Sequence, residues 1–308
     1  MYDLIIIGGS AAGTSAAIYA ARAKLDFKIL AMDLGGEVAH SGGVDNYLGF
    51  NETTGVELSQ KFNAQLDHNQ VNVEVGFEVQ KVEKIVLGYR ITGRDASSQT
   101  VSYDSKTVIV ASGVRPRHLN VPGEKELYQK GLSYCTTCDG PLFKNKTVTT
   151  IGGGNSALES ILMMRNLATR VYSINKNPEF KGEQVYIDKV KADSKVELIH
   201  DAATVQIIGD QQVTEVEYMD KATGQLRRIN TDAVFVHIGI IPNTEMVKDL
   251  GILDPAGFIV ADQLMSSKLP GLFAAGDVVN IPYNQIIIAA GQGAAASLAA
   301  QTYLHRLA

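Results

Sequence analysis

The chain has 308 residues, 45% hydrophobic and 20% charged, with a formal net charge of −5, enough for a full core or for two domains of ordinary size. The absence of a long basic run removes the counterion-release drive toward nucleic acid. The longest apolar stretch, Ile286 to Ala300, is interrupted by Gln292 and falls short of the roughly 20 apolar residues of a membrane span. Met1-Tyr2-Asp3 enters an apolar strand without the charged leader of a signal peptide, so a cytoplasmic location is expected.

In chain order, "DLIIIGGSAAGTSAAIYAARA" (3–23) predicts a strand, a glycine turn and an apolar-faced helix, and "FKILAMD" (27–33) predicts a second strand. β-rich segments follow at 71–86 and 89–113, stopping on Ala111-Ser112-Gly113, and a Pro-containing connection follows with Pro116 and Pro122. The strand–turn–helix pattern then repeats as "TVTTIGGGNSALESILMMRNLA" (147–168), with "RVYSIN" (170–175) as its next strand. Strand-rich residues 196–220 lead to a second crossover, "GIIPNTEM" (239–246), and a short strand runs into Gly276-Asp277 within "GLFAAGDVV" (271–279). Two strand–helix–strand units of about 30 residues each indicate a duplicated dinucleotide-binding fold. The expected class is α/β, with two Rossmann-like three-layer ββα domains, the second inserted into the first. The expected boundaries are 1–113 with 246–308 for the first domain and 114–245 for the insert.

Three clusters carry chemistry. Gly8-Gly9-Ser10-Ala11-Ala12-Gly13 fits G-x-G-x-x-G except that Ser10 takes the second glycine's place. The first glycine makes the tight turn, the middle position lets backbone approach a pyrophosphate, and the third brings helix against strand. Asp33, 20 residues beyond Gly13, ends the next strand where a carboxylate can accept from ribose hydroxyls. Gly152-x-Gly154-x-x-Ala157 is a second such turn, the alanine being a common variant. Cys135-Thr136-Thr137-Cys138 is a C-x-x-C pair opening a predicted helix, where the first thiol is commonly the exposed attacker with a lowered pKa. Asp139 beside it is a reasonable acid/base for the departing thiolate. A zinc site and inert buried thiols compete with this reading, although no second cysteine pair or neighbouring histidine supplies a ligand set; no metal is expected. His237, in the apolar "VFVHIG", reads as a core histidine rather than a catalyst.

The segments at 8–13, 35–50, 111–113, 133–140, 151–157 and 273–278 span nearly the whole chain and resemble the low-molecular-weight thioredoxin reductases. "CDGPLFK" (138–144) and "PYNQIIIAAGQGAAASL" (282–298) also look like the catalytic part of the alkyl hydroperoxide reductase flavoprotein subunit. The resemblance implies an FAD-dependent disulfide oxidoreductase, a homodimer and a thioredoxin or glutaredoxin-like partner. It implies FAD contacts from Gly8, Ser10, Ala12, Gly13, Asp33, Gly36, Glu37, Asn46, Gly113, Gly276, Asp277, Gln285 and Ile286. Glu37 stands where the family usually has glutamine. By the same resemblance Cys138 exchanges electrons with the flavin and Cys135 attacks the partner disulfide. The nicotinamide nucleotide, NADPH or NADH, would meet Gly152, Gly154, Asn155, Ser156, Ala157, Asn175, Lys176 and Lys181. NADPH-using members carry an arginine cluster at the end of that strand, because guanidinium forks match a phosphate. "NKNPEFK" (175–181) instead offers Asn175, Lys176, Asn177 and Lys181, and specifies neither coenzyme sharply. Reduced ferredoxin as donor, and a redox sensor without disulfide-reductase turnover, remain as alternatives.

Overall fold

The computed structural model describes residues 1–307 and divides into two compact units, Met1–Arg115 with Ile241–Ala308, and Pro116–Ile240. Relative to the expected boundaries the first crossing falls two residues later and the second five residues earlier. The reason is local to the first unit. Arg115 bonds Asn243 and Glu245, and Asn243 exchanges hydrogen bonds with Ser112, so both crossing segments are tied into that unit.

The first unit is built on a seven-stranded sheet. Its strands run in the order Val73–Val75, Phe27–Ala31, Tyr2–Ile7, Thr100–Val110, Gly88–Arg94 and Glu78–Ile85, and Leu272–Ala274 pairs with Thr100–Val110 as well. The central pairings are parallel, whereas the Glu78–Ile85 and Gly88–Arg94 strands join antiparallel. Side chains alternate across the pleat, so Leu4 and Ile6 enter a core shared with the helices while Ile5 and Ile7 enter one on the opposite face. Both faces are covered, which is why "LIII" reads as a continuous apolar run rather than an alternating one. Helices Ala11–Arg22 and Ile286–Leu307 pack through small residues. A Cβ on Gly293 would lie 2.0 Å from the Ala12 carbonyl oxygen. That close approach seats the start of the last helix beside the first glycine turn.

The second unit repeats the plan at smaller scale. Its five-stranded parallel sheet has the order Leu132–Ser133, Ala233–Val236, Thr147–Ile151, Arg170–Ile174 and Val196–Ile199. Val148, Val171, Ala233 and Phe235 face the helices Asn155–Leu167 and Gln184–Lys191. Ile151, Ile174, Val234 and Val236 face a three-stranded antiparallel sheet through Ile207, Val216 and Ile229. Helix layer, parallel sheet and antiparallel sheet make the three-layer ββα arrangement in this unit. No helix among the described residues is long and apolar enough to cross a membrane.

Candidate functional site

The first glycine turn is a backbone cradle held open by the lack of side chains. Gly8 has φ +122°, and a Cβ there would lie 2.2 Å from the Ala111 carbonyl oxygen. A Cβ on Gly13 would lie 1.9 Å from the Gly8 carbonyl oxygen. Neither position admits another residue without backbone movement, whereas Ser10 fits, its hydroxyl donating to Gly35 O at 2.5 Å. Ser10 is the N-cap of helix Ala11–Arg22 but makes no side-chain cap, so the first-turn N–H groups near Ala12 are left for an outside acceptor.

The residues expected around that cradle are linked within the first unit. Exposed Asp33 accepts the Gly36 N–H through Oδ1 at 2.8 Å. Gly36 packs against Ser10, and Gly276 against Ala12. Asp277 has its carboxyl raised to about 6 by burial, opposed by a hydrogen bond from Asn284 and assisted by the nearby charge of Glu37. Asn46 Nδ2 donates to Gln285 Oε1 at 3.0 Å, joining the loop after the second strand to the turn before the last helix. Ile286 packs with Ala11 and Val38, and Gly113 has φ +66° and accepts the Asn243 N–H. A residue missed by sequence reasoning is Gln292, whose Oε1 accepts the Gly276 N–H at 2.8 Å and so aims the Gly276-Asp277 turn. Its interruption of an apolar stretch was the visible signal.

The second turn keeps the cradle and changes its far end. Gly152 has φ +148°, and a Cβ there would meet the His237 carbonyl oxygen at 2.1 Å. Gly154 faces open space, exposed Asn155 and Ser156 begin the helix, and Ala157 is fully buried against it. Asn175 is 1% exposed. Its Oδ1 accepts the Asn177 N–H at 3.1 Å and its Nδ2 donates to Glu179 O at 2.9 Å, so the side chain is occupied in shaping its own loop. That loop folds back on the glycine turn: Lys181 N–H donates to Gly153 O at 2.7 Å, and Glu183 N–H donates to Asn155 Oδ1 at 2.8 Å. Lys176 and Lys181 are exposed beside it.

Cys135 and Cys138 are joined in a disulfide across the first turn of helix Thr136–Asp139. Cys135 is the N-cap, its Sγ accepting the Cys138 N–H at 3.2 Å. Exposure was expected at Cys135; Cys135 is partly exposed and Cys138 more so. Buried Ser133, also missed by sequence reasoning, donates to Asp139 Oδ2 at 2.5 Å and accepts the Cys135 N–H at 3.0 Å. Desolvation raises the Asp139 carboxyl above its ordinary range, partly offset by that bond.

Residues 2–297 match the family described as pyridine nucleotide-disulphide oxidoreductase. The chain is 39% identical over 305 residues to a Staphylococcus aureus alkyl hydroperoxide reductase subunit, covering 99% of this chain and 59% of that protein. It thus spans about three fifths of the length of the curated relatives it matches. Among solved structures it is similar to thioredoxin reductase from Streptococcus pyogenes, with TM-score 0.91, 35% identity and 99% of each chain covered. It is also similar to a ferredoxin-flavin thioredoxin reductase from Clostridium acetobutylicum, with TM-score 0.53, 29% identity and 99% and 98% of the two chains covered. A family match over nearly the whole chain, a disulfide in a C-x-x-C turn and two dinucleotide cradles agree: the chain belongs to the pyridine nucleotide-disulphide oxidoreductase family.

Proposed function

We propose that this protein is an FAD-dependent disulfide oxidoreductase of the thioredoxin reductase type, reducing a disulfide on a thioredoxin or glutaredoxin-like protein. The observation that carries this reading is the Cys135–Cys138 disulfide in a helix-opening turn with Asp139 held beside it by Ser133. FAD fits the first unit, because Gly8 and Gly13 let strand and helix close on each other and helix Ala11–Arg22 has no side-chain N-cap, leaving its first-turn N–H groups for a pyrophosphate. Gly8, Ser10, Ala12, Gly13, Asp33, Gly36, Glu37, Asn46, Gly113, Gly276, Asp277, Gln285 and Ile286 are the residues proposed to hold it. When bound, the flavin supplies a two-electron carrier between a donor and the disulfide.

The residues of the chain then do thiol chemistry. In the dithiol state the Cys135 thiolate attacks one sulfur of the partner disulfide, forming a mixed disulfide and expelling the partner's second sulfur as thiolate. The Cys138 thiolate next attacks Cys135 Sγ, restoring the Cys135–Cys138 bond and releasing the first partner sulfur. The partner gains two electrons and, with two protons, two thiols. Asp139, its proton affinity raised by burial, is proposed to hold a proton at its carboxyl and exchange it with the Cys138 sulfur. Cys138→Ser leaves a single thiol and no resolving step, so thioredoxin reduction should disappear. Turnover at the unmodified rate would end the enzyme reading.

The donor is proposed to be a nicotinamide nucleotide on Gly152, Gly154, Asn155, Ser156 and Ala157. With Asn175 occupied within its loop, Lys176 and Lys181 carry the discrimination, as point charges that favour a 2′-phosphate and hence NADPH. A second reading, reduced ferredoxin as donor, is supported by the likeness to the ferredoxin-flavin enzyme. Anaerobic titration of the oxidised holoprotein separates them: bleaching of the flavin by NADPH supports the first, and bleaching by ferredoxin alone removes the nicotinamide.

A further inference from the structure

Four side chains behind the redox turn form one chain of hydrogen bonds within the second unit. Thr150 Oγ1 lies 3.2 Å from Ser160 Oγ, Ser160 Oγ lies 2.7 Å from Thr136 Oγ1, and Thr136 Oγ1 lies 2.7 Å from His237 Nε2. Thr150, Ser160 and Thr136 are 0%, 3% and 4% exposed, so water does not compete for them. Thr136 is the residue between the cysteines that begins the redox helix. Ser160 belongs to helix Asn155–Leu167, Thr150 to the central strand, and His237 follows strand Ala233–Val236.

The direction of the chain follows from counting hydrogens. Each hydroxyl donates once. Running Thr150 to Ser160 to Thr136 to His237 gives every hydroxyl hydrogen an acceptor and makes Nε2 the end of the line. The reverse direction leaves the Thr150 hydrogen buried without one, since Thr150 makes no other side-chain hydrogen bond among the described residues. A buried donor without a partner is costly, so His237 accepts through Nε2 and carries its proton on Nδ1. Burial holds the ring neutral by lowering its pKa to about 4. No charged side chain contributes to that shift.

We propose that His237 is a positioning residue for the Cys135–Cys138 pair, its neutral imidazole anchoring Thr136 so that the two thiols stay within bonding distance after the disulfide opens. This rests on the proposed function insofar as the same pair is exchanged in turnover. In the disulfide state the S–S bond clamps the turn. In the dithiol state the anchor replaces part of that clamp, keeps one thiol at high effective concentration toward the other and strengthens the pair as a reductant. Removing the anchor loosens the dithiol more than the disulfide.

The test is the equilibrium of the full-length holoprotein with glutathione. Two glutathione thiols are oxidised to one glutathione disulfide as the Cys135–Cys138 bond is reduced to two thiols, the two protons passing from the first pair to the second. His237→Ala and Thr136→Val should each shift this equilibrium roughly fivefold toward the dithiol, because the bond forms at less entropic cost in the clamped disulfide than in the dithiol and only that difference enters the constant. The double variant should shift no further, because both remove the same contact. His237→Gln, which returns an acceptor near Nε2, and Thr136→Ser, which keeps the hydroxyl, should lie within about twofold of the unmodified protein. Unchanged constants in the single variants, additive shifts in the double, or a lower urea midpoint without a shift in the constant would each overturn the proposal. If His237→Ala does not fold, the Thr136 pair decides alone. Glutathione exchanges directly with the cysteines, and the 450 nm absorbance checks at each point that the flavin stays oxidised, so failure of the unmodified protein to reduce thioredoxin would sink the proposed function and leave this result interpretable.

Discussion

The two glycine turns begin alike and end differently. In both, the first glycine has positive φ and its absent side chain makes room for a carbonyl from a neighbouring strand end. At the third position they part: Gly13 has Gly8 O where a Cβ would be, while the second turn accommodates Ala157. They part again at the next strand's end, where Asp33 is exposed beside its cradle and Asn175 is buried in its own loop. A glycine signature therefore reports backbone geometry for a pyrophosphate, whereas ligand discrimination depends on whether the strand-end side chain remains available.

The largest effect expected from this contrast is at its third position. Gly13→Ala forces backbone apart and should cost about 2–3 kcal/mol, with loss of bound flavin read from the ratio of 450 to 280 nm absorbance. Ala157→Gly should cost roughly 1–2 kcal/mol through helix propensity and the loss of a buried methyl and leave the flavin in place. Equal flavin retention in the two variants would break the comparison.

Asn175→Asp comes next. It removes the donor that serves Glu179 O and buries a carboxylate, so the second unit should lose roughly 1–3 kcal/mol in chemical denaturation with little gain in NADH affinity. A gain in NADH binding at unchanged stability would show that this side chain reaches the ribose after all. Smaller still, Lys176→Ala and Lys181→Ala should each weaken NADPH binding by about 0.2–1 kcal/mol in a salt-dependent way and leave NADH unchanged in calorimetry.

His237 and Asp277 should also answer acid in opposite senses. His237 has a lowered pKa, so its contribution is complete above the unfolded value of 6.5 and is lost as pH falls through about 4. Asp277 has a raised one, so in the flavin-free protein its contribution is complete below 3.8 and is lost as pH rises through about 6. Between pH 7 and pH 5, hydrogen exchange of the flavin-free protein should show the second unit losing more protection than in His237→Gln, the raised Asp139 carboxyl being common to both.

Much of this was legible in the sequence because it depends on local backbone demands. Gly8, Gly13, Gly152 and Gly154 occupy the turns their spacing predicts, and Cys135 and Cys138 lie three residues apart in a helix-opening turn. The apolar run at 4–7 and the β-branched run at 147–151 name the central strands, and both faces of each sheet are covered. Such features recur at a fixed local spacing, which is what a sequence displays.

What only the tertiary structure decided are side-chain partners that no local pattern specifies. Gln292 accepts from Gly276, Ser133 reaches Asp139 from the preceding strand, and His237 meets Thr136 from 101 positions away. Asn175 is the sharpest case: its residue type suits a ribose or a turn, and the folding back of residues 176–183 on Gly153 and Asn155 engages both of its amide atoms within the turn. A polar side chain's role is set by the partner that arrives first within hydrogen-bond distance, and chain packing determines that partner.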